Sequence, residues 1–301
     1  MPRGNVKAAQ LGVLVGVVLY STNAVFGAWA EVGGITFAFW RALLAVPVLA
    51  VVALAVDRRG TLFVRPGAAT VLAGVLLGVS TVLVMSAAKR VPITLIALIG
   101  TLTPILTGLY EAARGERLGR PFYLSGLVAV IGTAYVALTE HETSANLAGI
   151  ALAVGFAAGF AAFLIASRSA RRTATPIGFL FWSALFACVP TTAIAVVAAD
   201  PVLPLAARDL EALGLAVVCG GTTGHLLVTG SLRLLPATNA AVIRLTQPFF
   251  AMLFAWWIVA QEPTLPQIIG GLVTVAGVAG AALYRARTNV APVEAADEPG
   301  L

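Results

Sequence analysis

The chain has 301 residues, of which 59% are hydrophobic and only 11% charged, against roughly 25% charged in an average soluble protein. Two cysteines exclude a disulfide scaffold and a thiolate zinc site, and a net charge of +6 with no basic cluster gives no footing for nucleic acid. With a mean hydropathy of +0.96, the composition is that of an integral membrane protein.

Ten apolar stretches follow one another along the chain, near 8–30, 35–56, 68–87, 92–111, 122–138, 147–167, 176–199, 211–231, 237–259 and 265–284. All are too long for strands and rich in Ala, Leu and Gly, so they read as helices. At about 20 residues per span, ten spans use about 200 residues, and nine loops leave too little for a soluble domain. The first stretch ends in Ala28-Trp29-Ala30, which imitates a signal-peptidase site. Its apolar run of about 20 residues exceeds the roughly 7–15 of a signal peptide, so it reads as a retained span.

The arginines and lysines set the orientation. With the N-terminus inside, the inner loops hold Arg3, Lys7, Arg58, Arg59, Arg65, Arg114, Arg117, Arg120, Arg168, Arg171, Arg172, Arg233, Arg285 and Arg287. The outer loops hold only Lys89, Arg90 and Arg208, while Arg41 and Arg244 fall within spans. Both termini are therefore expected in the cytoplasm, with the protein in the plasma (inner) membrane. The expected organisation is a cytoplasmic N-terminus at 1–7, a first five-span half at 8–138, an extracytoplasmic linker at 139–146, a second half at 147–284 and a disordered cytoplasmic tail at 285–301.

The two halves repeat each other. Val79–Pro104 and Thr223–Pro248 align without a gap, matching Leu83 with Leu227, Val84 with Val228, Pro92 with Pro236, Thr94 with Thr238, Ala97 with Ala241, Ile99 with Ile243 and Pro104 with Pro248. Phe39-Trp40 pairs with Phe181-Trp182, Pro47 with Pro190, Gly115-Glu116 with Gln261-Glu262, and Gly126 and Gly132 with Gly271 and Gly277. Five spans is an odd number, so the second copy enters the membrane from the opposite side. The expected fold is all-α, ten transmembrane helices in two inverted five-helix repeats, the architecture of secondary transporters. The four prolines Pro47, Pro104, Pro190 and Pro248 are the expected kinks or hinges.

FWRALLAVPVLA (39–50), AAKRVPITLIALIGTLTPI (87–105), GERLGRPFYLSGLVAVIGTAYV (115–136), LRLLPATNAAVIRLTQPFFAMLFAWWIVAQEP (232–263) and GGLVTVAGV (270–278) carry a resemblance over the whole chain. They resemble the EamA-type transporters of the drug/metabolite transporter superfamily. The resemblance implies ten helices in two inverted halves, and export or uptake of small metabolites such as amino acids or toxic compounds. Arg244 stands where such proteins commonly carry an apolar or small residue, His225 is unusual in its span, and Arg41 aligns with Ser183 of the second half.

Polar groups inside spans mark the expected pathway. A central Arg costs about 2.5–3.5 kcal/mol to insert, which points to a hydrated or paired position. Ala240, Arg244, Gln247 and Ala251 share one helical face. There Arg244 either binds a substrate carboxylate or is a snorkelling or structurally paired arginine. Arg41 is either a pathway residue or one member of a packing or gating ion pair. His225, on a face with Gly221, Thr222 and Thr229, either couples protons or hydrogen-bonds substrate, or else donates to a neighbouring carbonyl. In the first span Gly16, Tyr20, Asn23 and Gly27 share a face. Thr101 and Thr103 in the fourth either line the pathway or bond the carbonyl one turn back, and Trp182 in the seventh either stacks a substrate or packs against lipid or core. No Asp or Glu lies in the middle of any span.

These readings favour a secondary transporter working by alternating access on an amino acid or related carboxylate, with export suggested by the resemblance. Neutral or cationic drug-like compounds are the alternative cargo. An intramembrane enzyme is disfavoured: there is no Gly-x-Ser-Gly element, no clustered Asp and no HExxH. A sensor or scaffold lacks an output domain. The expected partners are a small-molecule substrate, the lipid bilayer and coupling protons, with the chain a monomer or homodimer. No cofactor or metal is expected, and the absence of a GxxxxGK[ST] loop removes direct ATP use.

Overall fold

The structure, a computed structural model, describes residues 3–56, 65–139, 147–170, 174–203, 205–231 and 243–288. Its elements are α1 (Arg3–Ser21), α2 (Asn23–Trp29), α3 (Gly34–Val56), α4 (Ala68–Ala88), α5 (Ile93–Thr101), α6 (Thr103–Ala113), α7 (Arg120–Thr139), α8 (Leu147–Ala170), α9 (Pro176–Val197) and α10 (Ala207–Leu215). A π-helical segment (Ala216–Gly224) then leads into α11 (His225–Ser231), followed by α12 (Gln247–Val259) and α13 (Leu265–Thr288). Among the described residues, nine helical stretches are long and apolar enough to cross a membrane, and Gln247–Val259 is a shorter apolar helix. Residues 237–242 of the expected ninth span lie outside the described residues, as do 140–146 of the expected linker and the tail from 289.

Several boundaries differ from the sequence reading. Helix α1 begins at Arg3, within the stretch expected as the N-terminus before the first span, and α13 continues to Thr288, four residues into the expected tail. The first and fourth spans are each two helices. The fourth breaks at Leu102, two residues before Pro104, which has no N–H to donate to a helical bond, and α6 restarts with that proline in its first turn. The first breaks at Thr22 without a proline. There the hydroxyl of Thr22 donates to Leu19 O at 2.7 Å, and that of Ser21 donates to Val17 O at 2.7 Å and Gln247 O at 3.2 Å. Pro47 and Pro190 instead lie inside α3 and α9, which both continue past them.

In lipid the helices gain nothing from hiding apolar surface from water, so close packing of small residues holds them together. Gly74 and Gly78 of α4 sit against Ser183, Phe186, Ala187 and Pro190 of α9. Helices α7 and α13 pack with reciprocal contacts. A Cβ on Gly132 would meet Thr274 N at 2.6 Å and Gly270 O at 2.7 Å, and a Cβ on Gly277 would meet Ala129 N at 2.4 Å and Ser125 O at 2.6 Å. Further packed pairs are α1 with α11, α4 with α8, α3 with α9, and α5 with α12. The outward faces of α7 and α13 expose Leu124, Leu127, Ile131, Ile268 and Leu272, as a surface in contact with lipid requires.

Both ends of the bundle are tied across the two halves. At one end Asp209 accepts from the backbone N–H of Glu31, Val32 and Ala206 at 2.6, 3.1 and 2.9 Å. There also Asp200 accepts from Thr36 N and its hydroxyl, and Trp40 donates to Val202 O. Lys89 donates to Ala30 O at this end, and burial pushes its ammonium below the usual lysine range against the opposing pull of Asp209. At the other end Glu111 of α6 pairs with Arg168 of α8 and Arg285 of α13.

Candidate functional site

The breaks in the first, fourth and ninth spans converge on a cavity with about 800 Å³ of space not filled by atoms, open solvent at its mouth included. Helix α1 and the break after it contribute Tyr20, Ser21 and Asn23, α3 contributes Arg41, and α11 contributes His225. Arg244 and Gln247 enter from the turn into α12, and Ala251 from one turn later, so three members of the Ala240, Arg244, Gln247 and Ala251 face line the cavity, while Ala240 lies outside the described residues. Ser80 and Thr81 of α4 and Phe156 and Phe160 of α8 complete the wall, with Met85 and Ile93 toward the Lys89 end.

A second cavity of about 680 Å³ shares Tyr20, Phe160, His225, Arg244 and Gln247 with the first and reaches Ser167 and Val228 toward the Glu111 end. These five residues therefore stand between two hollows that run toward opposite ends of the bundle. Tyr20 meets His225 edge-on, with ring centroids 4.9 Å apart, and lies 6.4 Å from Phe160.

Two arginines act on this partition, Arg244 within it and Arg41 from the first cavity. Tyr20 and His225 each lie within reach of the charges of both Arg41 and Arg244. Arg41 donates from Nη2 to Asn23 Oδ1 at 3.2 Å, while its Nε is buried without a partner. Among the described residues neither arginine has a carboxylate within salt-bridge distance. An ion pair is therefore not what holds Arg41; its described partner is an amide. The nearby hydroxyls are turned to their own helices: Ser80 donates to Leu76 O at 2.6 Å and Thr81 to Leu77 O at 2.8 Å.

The π-helical segment brings its backbone over this site. A Cβ on Gly220 would lie 2.5 Å from the Asn23 amide, and one on Gly221 3.5 Å from Arg41 Nη2. Only a residue without a side chain permits that approach at Gly220.

Three expected pathway residues are not among those lining either cavity. Thr101 donates to Leu98 O and Thr103 to Gly100 O, each at 2.6 Å, so both hydroxyls serve the break in the fourth span. Trp182 stacks on Phe186 at 6.2 Å and leaves its Nε1 buried without a partner. Conversely, Ser80 and Thr81 are a polar pair in the middle of an apolar span, the same signal that marked Asn23, and were not singled out. Phe156 and Phe160 carry no such signal in an aromatic- and Ala-rich helix. Among the described residues no group of three His, Cys, Asp or Glu side chains could hold a metal ion.

A many-span helical protein with a polar cavity between broken helices has the architecture of a membrane carrier. The sequence matches the EamA-like transporter family twice, over residues 7–138 and 147–283. The chain belongs to that family, and is a multi-pass membrane protein of a transporter family. One solved crystal structure, 22% identical, superposes with a TM-score of 0.65 over 95% of this chain and 99% of the other, a likeness of fold. No curated protein matches the sequence.

Proposed function

We propose that the chain is a secondary transporter that moves a small carboxylate-bearing metabolite, an amino acid or related acid, outward across the plasma membrane by alternating access. The observation that carries this reading is the pair of arginines facing one cavity with no carboxylate partner among the described residues. A guanidinium in the hydrocarbon region is costly unless something hydrates or neutralises it. A substrate carboxylate does so with a planar bidentate fit. The five-residue partition between the two hollows is where alternating access needs its substrate.

The proposed architecture is ten spans in two inverted halves at 8–138 and 147–284, with both termini cytoplasmic. Three observations support it: the family matches twice, the α7–α13 glycine contacts are reciprocal, and the α1–α11 packing mirrors the α4–α8 packing. Coupling to protons would fall to His225, which lies on the partition. Flux of labelled amino acids and small organic acids in proteoliposomes tests the proposal. Saturable flux that Arg244→Ala abolishes is the expected result; flux of carboxylates no faster than in empty liposomes overturns it.

A further inference from the structure

We infer that the cavity is built for a small dicarboxylate, a dianion without an ammonium group, rather than for a zwitterionic amino acid; this rests on the carboxylate reading above. The two guanidiniums come from different elements, Arg41 from α3 and Arg244 from the turn before α12, and both act on Tyr20 and His225. Each is a separate fork that can grip one carboxylate bidentately. Arg41 has a donor to spare, its Nε buried without a partner, and Arg244 makes no ion pair with a described residue.

A bound zwitterion leaves two positive charges uncompensated inside the membrane. A monocarboxylate leaves one, and a dicarboxylate leaves none. In a low-dielectric site such a residual charge weighs more than in water. The other end of an amino acid also fares badly. An ammonium has three donors to satisfy, and no Asp or Glu lines either cavity among the described residues. The amide oxygen of Asn23 already accepts from Arg41. In the same cavity Phe156 and Phe160 give an apolar wall that suits a short methylene chain. An inside-negative membrane potential drives a dianion outward, in agreement with export.

The test is a charge series on the purified full-length protein, read by thermal shift and by competition for flux in proteoliposomes. The probes are malonate, succinate, glutarate and adipate, the monocarboxylates propionate and butyrate, the zwitterions alanine and norvaline, and inorganic phosphate. One dicarboxylate is expected to bind best, with monocarboxylates weaker by about 10- to 100-fold, the loss of one charge-assisted grip. Arg41→Gln and Arg244→Gln should each weaken the dicarboxylate by a similar factor and narrow its lead over the monocarboxylates. The wild-type series decides even if a variant fails to fold. A zwitterion or phosphate binding as tightly as the best dicarboxylate overturns the inference, and in the zwitterion case leaves the carboxylate reading standing. If no carboxylate of any class binds or moves, both fall.

Discussion

At the scale of single residues, what surrounds a charge held inside a membrane decides what that charge can do. Arg244→Ala removes the grip and should take transport to background, while the melting temperature stays close to wild type, because no described ion pair is lost. Arg244→Lys keeps the charge without the planar fork and should lose about tenfold in apparent affinity. Flux and thermal shift on the same preparations check both; unaltered transport by Arg244→Ala would remove Arg244 from the site. Gly220 gives a second test. A methyl group there would lie 2.5 Å from the Asn23 amide, so Gly220→Ala should displace Asn23, release Arg41 and cost about 1–3 kcal/mol. Tyr20, Asn23, Arg41, His225, Arg244 and Gln247 were legible as residues that line the cavity because a polar group within an apolar span has few other reasons to be there. For Thr101 and Thr103 the structure shows the other of the two readings, hydroxyls bonded to carbonyls of their own turn.

At the scale of elements, helix breaks explain how flat apolar spans enclose a hollow. Pro104 and Pro248 announce two of the breaks in the sequence, and α6 and α12 do start around them. The break at Thr22 rests on hydroxyl-to-carbonyl bonds and on a contact 226 positions away at Gln247, and the π-helical turn after Ala216 has no proline. Neither is visible to a local pattern. The tie between α10 and the turn after α2 was equally hidden, because Asp209 and Glu31 are 178 positions apart. Its strength is testable. Asp209→Ala strips acceptors from three backbone N–H groups and should lower stability by about 2–4 kcal/mol. Asp209→Asn keeps one side-chain oxygen and should cost less. Denaturation in mild detergent measures both, and equal losses would mean that the charge, not the acceptor geometry, holds this end together.

At the scale of the whole molecule, the proposed inversion of the two halves makes a geometric claim and a topological one. The geometric claim is an axis in the membrane plane that carries the first half onto the second. Gly132 against Gly270 and Thr274, and Gly277 against Ser125 and Ala129, already obey such an exchange across α7 and α13. In an experimental structure Pro104 and Pro248 should be related by the same axis and lie beside the central cavity. The topological claim is sharper, because five spans per half put the linker and the termini on opposite sides. The Lys and Arg distribution is the reason the termini are proposed to lie inside. Single cysteines at positions 142 and 172, introduced as Glu142→Cys and Arg172→Cys after replacing Cys188 and Cys219, report this directly. A membrane-impermeant thiol reagent added to intact cells should label position 142 and spare position 172 until the membrane is opened. Labelling of position 142 only from the cytoplasmic face would reverse the orientation. Labelling of both positions from the same face would require an even number of spans between them, and so would remove the sixth span, and with it the odd count on which the inversion depends.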